Sequence, residues 1–145
     1  MKALIQRVKR ASVSIEGELF SSIGFGLLVF LGVEKGDEKI NAEKLAEKLI
    51  NLRIFEDANE KMNLSLKDVK GEMLIVSQFT LCGDCKKGTR PSFDKSAPQN
   101  TANELYEYFI ERIKQNHIPL KTGKFGAMME VELINDGPVT FMVEK

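Results

Sequence analysis

The largely apolar stretch Ala3–Val8 predicts a first strand, and Ser12-Val13-Ser14-Ile15 alternates polar and apolar as a half-buried strand does. Glu16-Gly17-Glu18 reads as a turn before Leu19-Phe20. Gly26–Val33 is then apolar throughout between glycines, the pattern of a strand buried on both faces. Asp37 is placed to cap a helix over about 38–52, whose Ala42, Leu45, Ala46 and Leu49 make one core-facing stripe. Met73–Val76 predicts another buried strand, and it runs into the polar Ser77-Gln78-Phe79-Thr80. Thr101 and Glu104 have capping-box spacing for a second helix with Ala102, Leu105, Phe109 and Ile113 inward. Met129, Val131 and Leu133 alternate with acids, as do Val139, Phe141 and Val143 with Thr140 and Met142. Asn135-Asp136-Gly137-Pro138 between them predicts a closing hairpin. The order is β-β-β-α-β-α-β-β, an α/β domain over residues 1–145 with one mixed sheet flanked by helices.

Composition narrows the function classes. A chain of 145 residues, 43% apolar and 29% charged, is one globular domain that needs no disulfide or metal to fold. Lys+Arg and Asp+Glu both number 21, which argues against a strongly basic nucleic-acid binder but allows a local basic patch. The longest apolar run, Leu27–Leu31, is far shorter than the roughly 20 residues that span a bilayer. Met1-Lys2-Ala3 leads into a strand pattern, not a signal peptide, and two cysteines are no disulfide framework, so a cytoplasmic protein without membrane contact is expected.

Several motifs carry less than they suggest. Gly24-Phe25-Gly26 lacks the third glycine and the following helix of a dinucleotide fingerprint, and reads as a turn. Cys82-Gly83-Asp84-Cys85 has redox or half-zinc spacing, but no second pair exists and His117 is the single histidine. His117 falls near the end of the second helix, where a cation meets the helix dipole on the surface. A Ser-His-Asp or Cys-His device would have to use it, and no nucleophile motif surrounds it. Lys86-Lys87-Gly88-Thr89-Arg90 is a basic loop, solvated or in contact with phosphates. Ser77–Thr80 groups hydrogen-bonding side chains at a strand end, where α/β proteins place active sites.

At these residues the sequence resembles the D-aminoacyl-tRNA deacylases. That family carries a Ser-Gln-Phe-Thr-Leu motif, here Ser77–Leu81, and an Asn-x-Gly-Pro-Val-Thr motif, here Asn135–Thr140. The likeness extends over the chain: residues 1–13, Arg53–Asp57, Lys61–Asn63 and Gly88–Phe93 resemble family segments. The departure is Cys82 to Cys85, where a cysteine-free segment is expected.

The resemblance implies a homodimeric hydrolase, without cofactor or metal, that cleaves the ester between a D-amino acid and the 3′ end of tRNA. Ser77, Gln78, Phe79 and Thr80 are then the catalytic residues, and the Gly137-Pro138 of one subunit reaches them in the other. Backbone amides around Phe79 and Thr80 are suited to hold the oxyanion. Thr80 as covalent nucleophile is one mechanism; water assisted by the terminal 2′-hydroxyl is the other, favoured because Thr80 has no neighbouring base. Gly137, Pro138 and Val139 form the chiral selector, with a cis Gly137–Pro138 bond and Arg7 holding the loop through its carbonyls. Glycyl-tRNA, including glycine mischarged on tRNA(Ala), is then also a substrate. Lys86, Lys87 and Arg90 are the expected RNA contacts. A relaxed proofreader of L-aminoacyl-tRNA and a non-catalytic RNA- or protein-binding domain of the same fold are the alternatives.

Overall fold

The first strand, β1 (Lys2–Ile15), pairs with three others along its length. The computed structural model describes residues 1–145. After β1 come β2 (Glu18–Ile23), β3 (Gly26–Gly32), α1 (Lys39–Asn51), β4 (Phe55–Glu56) and β5 (Met62–Leu64). Then follow β6 (Glu72–Ser77), a 3-10 turn (Phe79–Cys82), α2 (Gln99–Gln115), β7 (Leu120–Thr122) and β8 (Glu130–Glu144). The main sheet runs β2-β1-β3-β6-β7, with β8 also paired to β1, and β4 and β5 form a small hairpin. β1 is antiparallel to β2, β3 and β8, whereas β3–β6 and β6–β7 are parallel.

Both helices cover one face. Ala3, Ile5, Leu27, Val29, Met73 and Ile75 share that core with Leu45 and Leu49 of α1 and Phe109 and Ile113 of α2. Leu28, Leu74 and Val76, the alternate residues of the same strands, join Val8, Ala11, Val13 and Ile23 in a smaller cluster on the other face. The sheet curls around this second cluster: Ser21 Oγ on β2 donates to the Thr122 carbonyl on β7 at 2.8 Å. Gly26 permits the tight start of the β3–β6 pair, since a Cβ there would lie 1.9 Å from the Glu72 carbonyl oxygen.

The structure departs from the sequence expectations at five places. The element order is β-β-β-α-β-β-β-α-β-β, not β-β-β-α-β-α-β-β, because β4, β5 and β7 are two or three residues long, too short for a periodic pattern to reveal. Residues 3–8 and 12–15 belong to one continuous strand, because a register slip near Lys9 lets β1 pass through the polar Lys9-Arg10 pair. The C-terminal hairpin does not form: β8 is one strand, antiparallel to β1 from Ser14↔Glu130 to Lys2↔Glu144. Between Gln6↔Thr140 and Val8↔Asn135, β8 advances five residues while β1 advances two, so Asp136–Val139 bulges out opposite Arg7. α1 begins after Glu38, not Asp37, because the Asp37 carboxylate is taken by the Glu34 amide at 2.6 Å while Asn41 Oδ1 accepts the Glu38 amide. α2 starts at Gln99, so Thr101 lies inside its first turn and caps nothing.

The isolated motifs are settled by burial. Gly24-Phe25 makes the bend between β2 and β3. His117 is exposed just past α2, with φ 57° and its amide on the Lys114 carbonyl, a helix-terminating position. Both cysteines are free: Cys82 is buried with its thiol on the Val33 carbonyl at 3.4 Å, and Cys85 is exposed. Burial, reinforced by the nearby Glu34 carboxylate, raises the Cys82 pKa. In the folded protein a thiol alkylating reagent at neutral pH should therefore label Cys85 alone, with Cys82 reacting only after denaturation. Peptide mass mapping of the two states checks this, and native labelling of Cys82 would contradict its placement.

Candidate active site

β6 delivers the first motif. Its four apolar residues Met73–Val76 are buried on both faces, which fixes where Ser77 emerges. α2 is fastened to this strand by the buried Tyr106 hydroxyl, which donates to the Ile75 carbonyl at 3.0 Å; Gly123 N donates to the same oxygen at 2.8 Å. Burial pushes the Tyr106 pKa up, so the phenol stays protonated and remains a donor. Past Ser77, the Gln78 amide donates to Leu31 O at 2.8 Å, and the chain folds into the Phe79–Cys82 turn against the end of β3. Gly32 makes that approach feasible: a Cβ there would lie 3.1 Å from Cys82 Sγ and from Leu81 Cβ.

The first amides of such a turn lack intrahelical partners. The backbone N–H groups of Phe79 and Thr80 accordingly find no acceptor in the chain, and both residues are exposed. Gln78 Nε2 donates a short hydrogen bond to Thr80 Oγ1. The Ser96 hydroxyl reaches the Phe79 carbonyl at 3.4 Å. Beside the turn lies a cavity of about 510 Å³. Its walls are Ser77, Gln78 and Phe79, the start of α2 at Gln99 and Ala102, and the Phe125–Met129 segment. No ionisable side chain lines it. His117 lies past the far end of α2, roughly 25 Å away at the helical rise per residue.

The second motif is held by a buried guanidinium. Arg7 is 5% exposed; its Nε donates to the Asp136 carbonyl at 3.0 Å and meets the Asp136 carboxylate at 2.8 Å. Its two terminal nitrogens reach Ile54 O at 2.8 Å and Glu56 Oε1 at 3.3 Å. Asn135 Nδ2 crosses the bulge to donate to Arg7 O at 3.1 Å and Val139 O at 2.9 Å. A Cβ on Gly137 would lie 2.0 Å from Asn135 Oδ1, so only glycine leaves this amide in place. The Gly137–Pro138 bond is cis, both residues are exposed, and Val139 returns to the core at 3% exposure.

Within one chain these two clusters do not meet. Gly137 on β8 is level with Arg7 on β1, whereas Ser77 on β6 is level with Leu31 and Ala3, and β1 and β3 lie between β8 and β6. Three strand spacings of about 4.8 Å and four residues of rise put them roughly 20 Å apart. Lys86, Lys87 and Arg90 are exposed on the loop after the turn and do not line the cavity. No site role follows from the sequence for Ile54, Glu56, Ser96, Gln99 or Met129. Ile54 and Glu56 lie in the family-like segment Arg53–Asp57 and Met129 in an alternating strand pattern, whereas nothing local marks Ser96 or Gln99.

The chain is similar to known proteins over nearly its whole length. The sequence model of the D-Tyr-tRNA(Tyr) deacylase family matches residues 4–144. A D-aminoacyl-tRNA deacylase of Geotalea daltonii is 61% identical over 144 residues, covering 99% of this chain and 96% of that one. The Haemophilus influenzae (strain PittGG) protein of the same name is 59% identical over 141 residues, 97% of each chain. Among solved structures, a c-Myc DNA unwinding element binding protein superposes with a TM-score of 0.95 at 43% identity, covering 100% of this chain and 99% of that one. A probable eukaryotic D-amino acid tRNA deacylase, 16% identical with a TM-score of 0.81 over 99% of this chain and 98% of its own, shares the fold. With both motifs in place and the match running nearly end to end, this chain belongs to the D-Tyr-tRNA(Tyr) deacylase family and is an enzyme of its hydrolase class.

Proposed function

We propose that this protein hydrolyses the ester linking a D-amino acid to the 3′-terminal adenosine of tRNA, and spares the L-ester. The observation that carries the reading is the pair of unpartnered amides at Phe79 and Thr80, in the turn whose Phe79 lines a cavity with no ionisable lining. Two free N–H groups at one turn suit the oxyanion of an ester's tetrahedral intermediate, and fixed backbone donors cost no reorganisation during reaction. Ser77 and Gln78 position the ribose and ester, and the largely apolar cavity takes the nucleoside.

The nucleophile is water. Thr80 Oγ1 receives the Gln78 amide and has no histidine, carboxylate or lysine on the cavity side to take its proton. The vicinal 2′-hydroxyl of the substrate supplies the missing polar group. The backbone carbonyls of Gly137-Pro138 receive the substrate ammonium and leave no space for an L side chain. A selector made of backbone, braced by Arg7 and Asn135, reads configuration without reading side-chain identity.

Because the two motifs sit roughly 20 Å apart in one chain, the site is completed by a second copy. The outer edge of β8, 15 residues long, has no strand partner, and Phe141 and Met142 on it are 39% and 50% exposed. An uncovered edge of that length is an aggregation hazard that a two-fold partner removes. The homodimer acts in the cytoplasm, on the tRNA it recycles.

Three outcomes test this. Labelled D-tyrosyl-tRNA and glycyl-tRNA(Ala) should be deacylated, and L-tyrosyl-tRNA cleaved slower by on the order of 100-fold, as steric rejection by one pocket gives. Equal cleavage of both tyrosyl enantiomers would make the protein a relaxed proofreader, and no cleavage a binding domain. Thr80→Ala should keep activity within roughly tenfold of wild type, the weight of one hydrogen bond. An acyl-Thr80 adduct seen by mass spectrometry after quenching would refute the water mechanism. Finally, Gln78→Ala and Gly137→Ala proteins, each inactive, should recover about one quarter of wild-type activity when co-refolded in equal amounts, because half the dimers then hold one intact site. No recovery would place the whole site within one chain.

A further inference from the structure

The loop following the 3-10 turn has its own architecture, which cleavage of the ester does not require. Its foot is pinned by a reciprocal backbone pair: Asp84 N donates to Ser92 O at 2.8 Å and Ser92 N to Asp84 O at 3.0 Å. Lys95 Nζ adds an ion pair with the Asp84 carboxylate at 3.4 Å. Beyond this foot the tip carries Lys86, Lys87 and Arg90, all exposed and none in an ion pair. At the foot stands Phe93, its ring edge-on to Phe79 with centroids 5.1 Å apart and planes at 61°. The ring also lies over Gly83, where a Cβ would sit 3.0 Å from it. Phe93 and Phe79 are nevertheless 40% and 57% exposed.

We propose that Phe93, beside Phe79 at the cavity rim, is a stacking ledge for the single-stranded nucleotides preceding the terminal adenosine, with Lys86, Lys87 and Arg90 contacting their phosphates. This rests on the deacylase reading above and extends it from the reacting end to the strand that carries it. Single-stranded RNA is recognised by bases laid on aromatic faces and by cations along the backbone, and both features occur here within eight residues. Packing over Gly83 alone would not leave so much of both rings open. An apolar protein partner would meet three unpaired cations beside the rings, an unfavourable juxtaposition, whereas a polyanion gains from them. The distances agree as well. Phe79 lines the cavity and Phe93 touches Phe79, so a strand leaving the cavity across Phe79 meets Phe93 next. The tip reaches roughly 10 Å beyond the foot at extended-chain rise, the length of about three stacked nucleotides.

The test compares two substrates, full-length D-tyrosyl-tRNA and 3′-O-D-tyrosyl-adenosine, which lacks the preceding nucleotides. Phe93→Leu retains an apolar contact with Gly83 but removes the ring face. It should lower kcat/KM on the tRNA by on the order of tenfold through KM, the effect of losing one stacked base, and leave the adenosine ester unchanged. Replacing Lys86, Lys87 and Arg90 together by Gln should reduce the slope of log(kcat/KM) against log[salt] on tRNA by about 2, near 0.7 for each lost phosphate contact. Equal loss on both substrates would make Phe93 a support for the Phe79 turn and overturn the ledge. Unchanged tRNA kinetics and salt slope would overturn it too. Wild-type protein inactive on both substrates would instead overturn the deacylase reading itself.

Discussion

The face of β1 that is buried changes partway along the strand, and the rest of the molecule is arranged around that change. Met1, Ala3 and Ile5 point into the helix-covered core, whereas Val8, Ala11 and Val13 point into the cluster on the opposite side. A strand without irregularity cannot do this, because its side chains alternate strictly. The register slip near Lys9 supplies the odd residue that reverses the parity. The same strand can then serve β3 with its first half and β2 with its second.

Arg7 is the last residue of the first alternation, so its side chain enters the helix-side core as a charge. Burying a cation is tolerable only when it is paired and hydrogen-bonded. Ile54, Glu56 and Asp136 meet that demand, and in doing so tie β1 to the small β4–β5 hairpin and to the bulge of β8. The exposed Gly137-Pro138 loop thus inherits its position from a buried guanidinium. A surface feature anchored this way is rigid for reasons that lie beneath it.

At the other end of the sheet the logic is apolar. The parallel β3–β6 pair is buried on both faces, and Ser77 follows where that ladder stops. Parallel strands place their carboxyl ends together, and this is the edge at which open α/β sheets bind ligands. Tyr106 and Gly123 anchor Ile75 from two directions, and Gly32 lets the turn settle against β3. One motif is therefore positioned by charge neutralisation and the other by packing, at sites far apart in the sheet.

The buried strands Leu27–Leu31 and Met73–Val76, the α1 stripe and the inward residues Leu105, Phe109 and Ile113 were all legible in the sequence, because local periodicity reports which side faces a core. The two motifs were legible as well, by residue type and by likeness to a family. What local pattern could not decide was pairing. Alternation on either side of Asn135–Pro138 looks the same for a hairpin and for one bulged strand, and only the length of β1, ready to pair with both halves, selects the second. Asp37 and Thr101 are sound capping residues, yet Asp37 is drawn to the Glu34 amide and α2 starts two residues before Thr101. Arg7 among apolar residues gave no sign of its partners, since Ile54, Glu56 and Asp136 are 47, 49 and 129 positions away. The sequence by itself determined the main buried strands, the two helices and where the two motifs lie along the chain, because those depend on near neighbours. The tertiary structure alone decided where the two motifs stand relative to each other, because that depends on strand order and register, which long-range pairing sets.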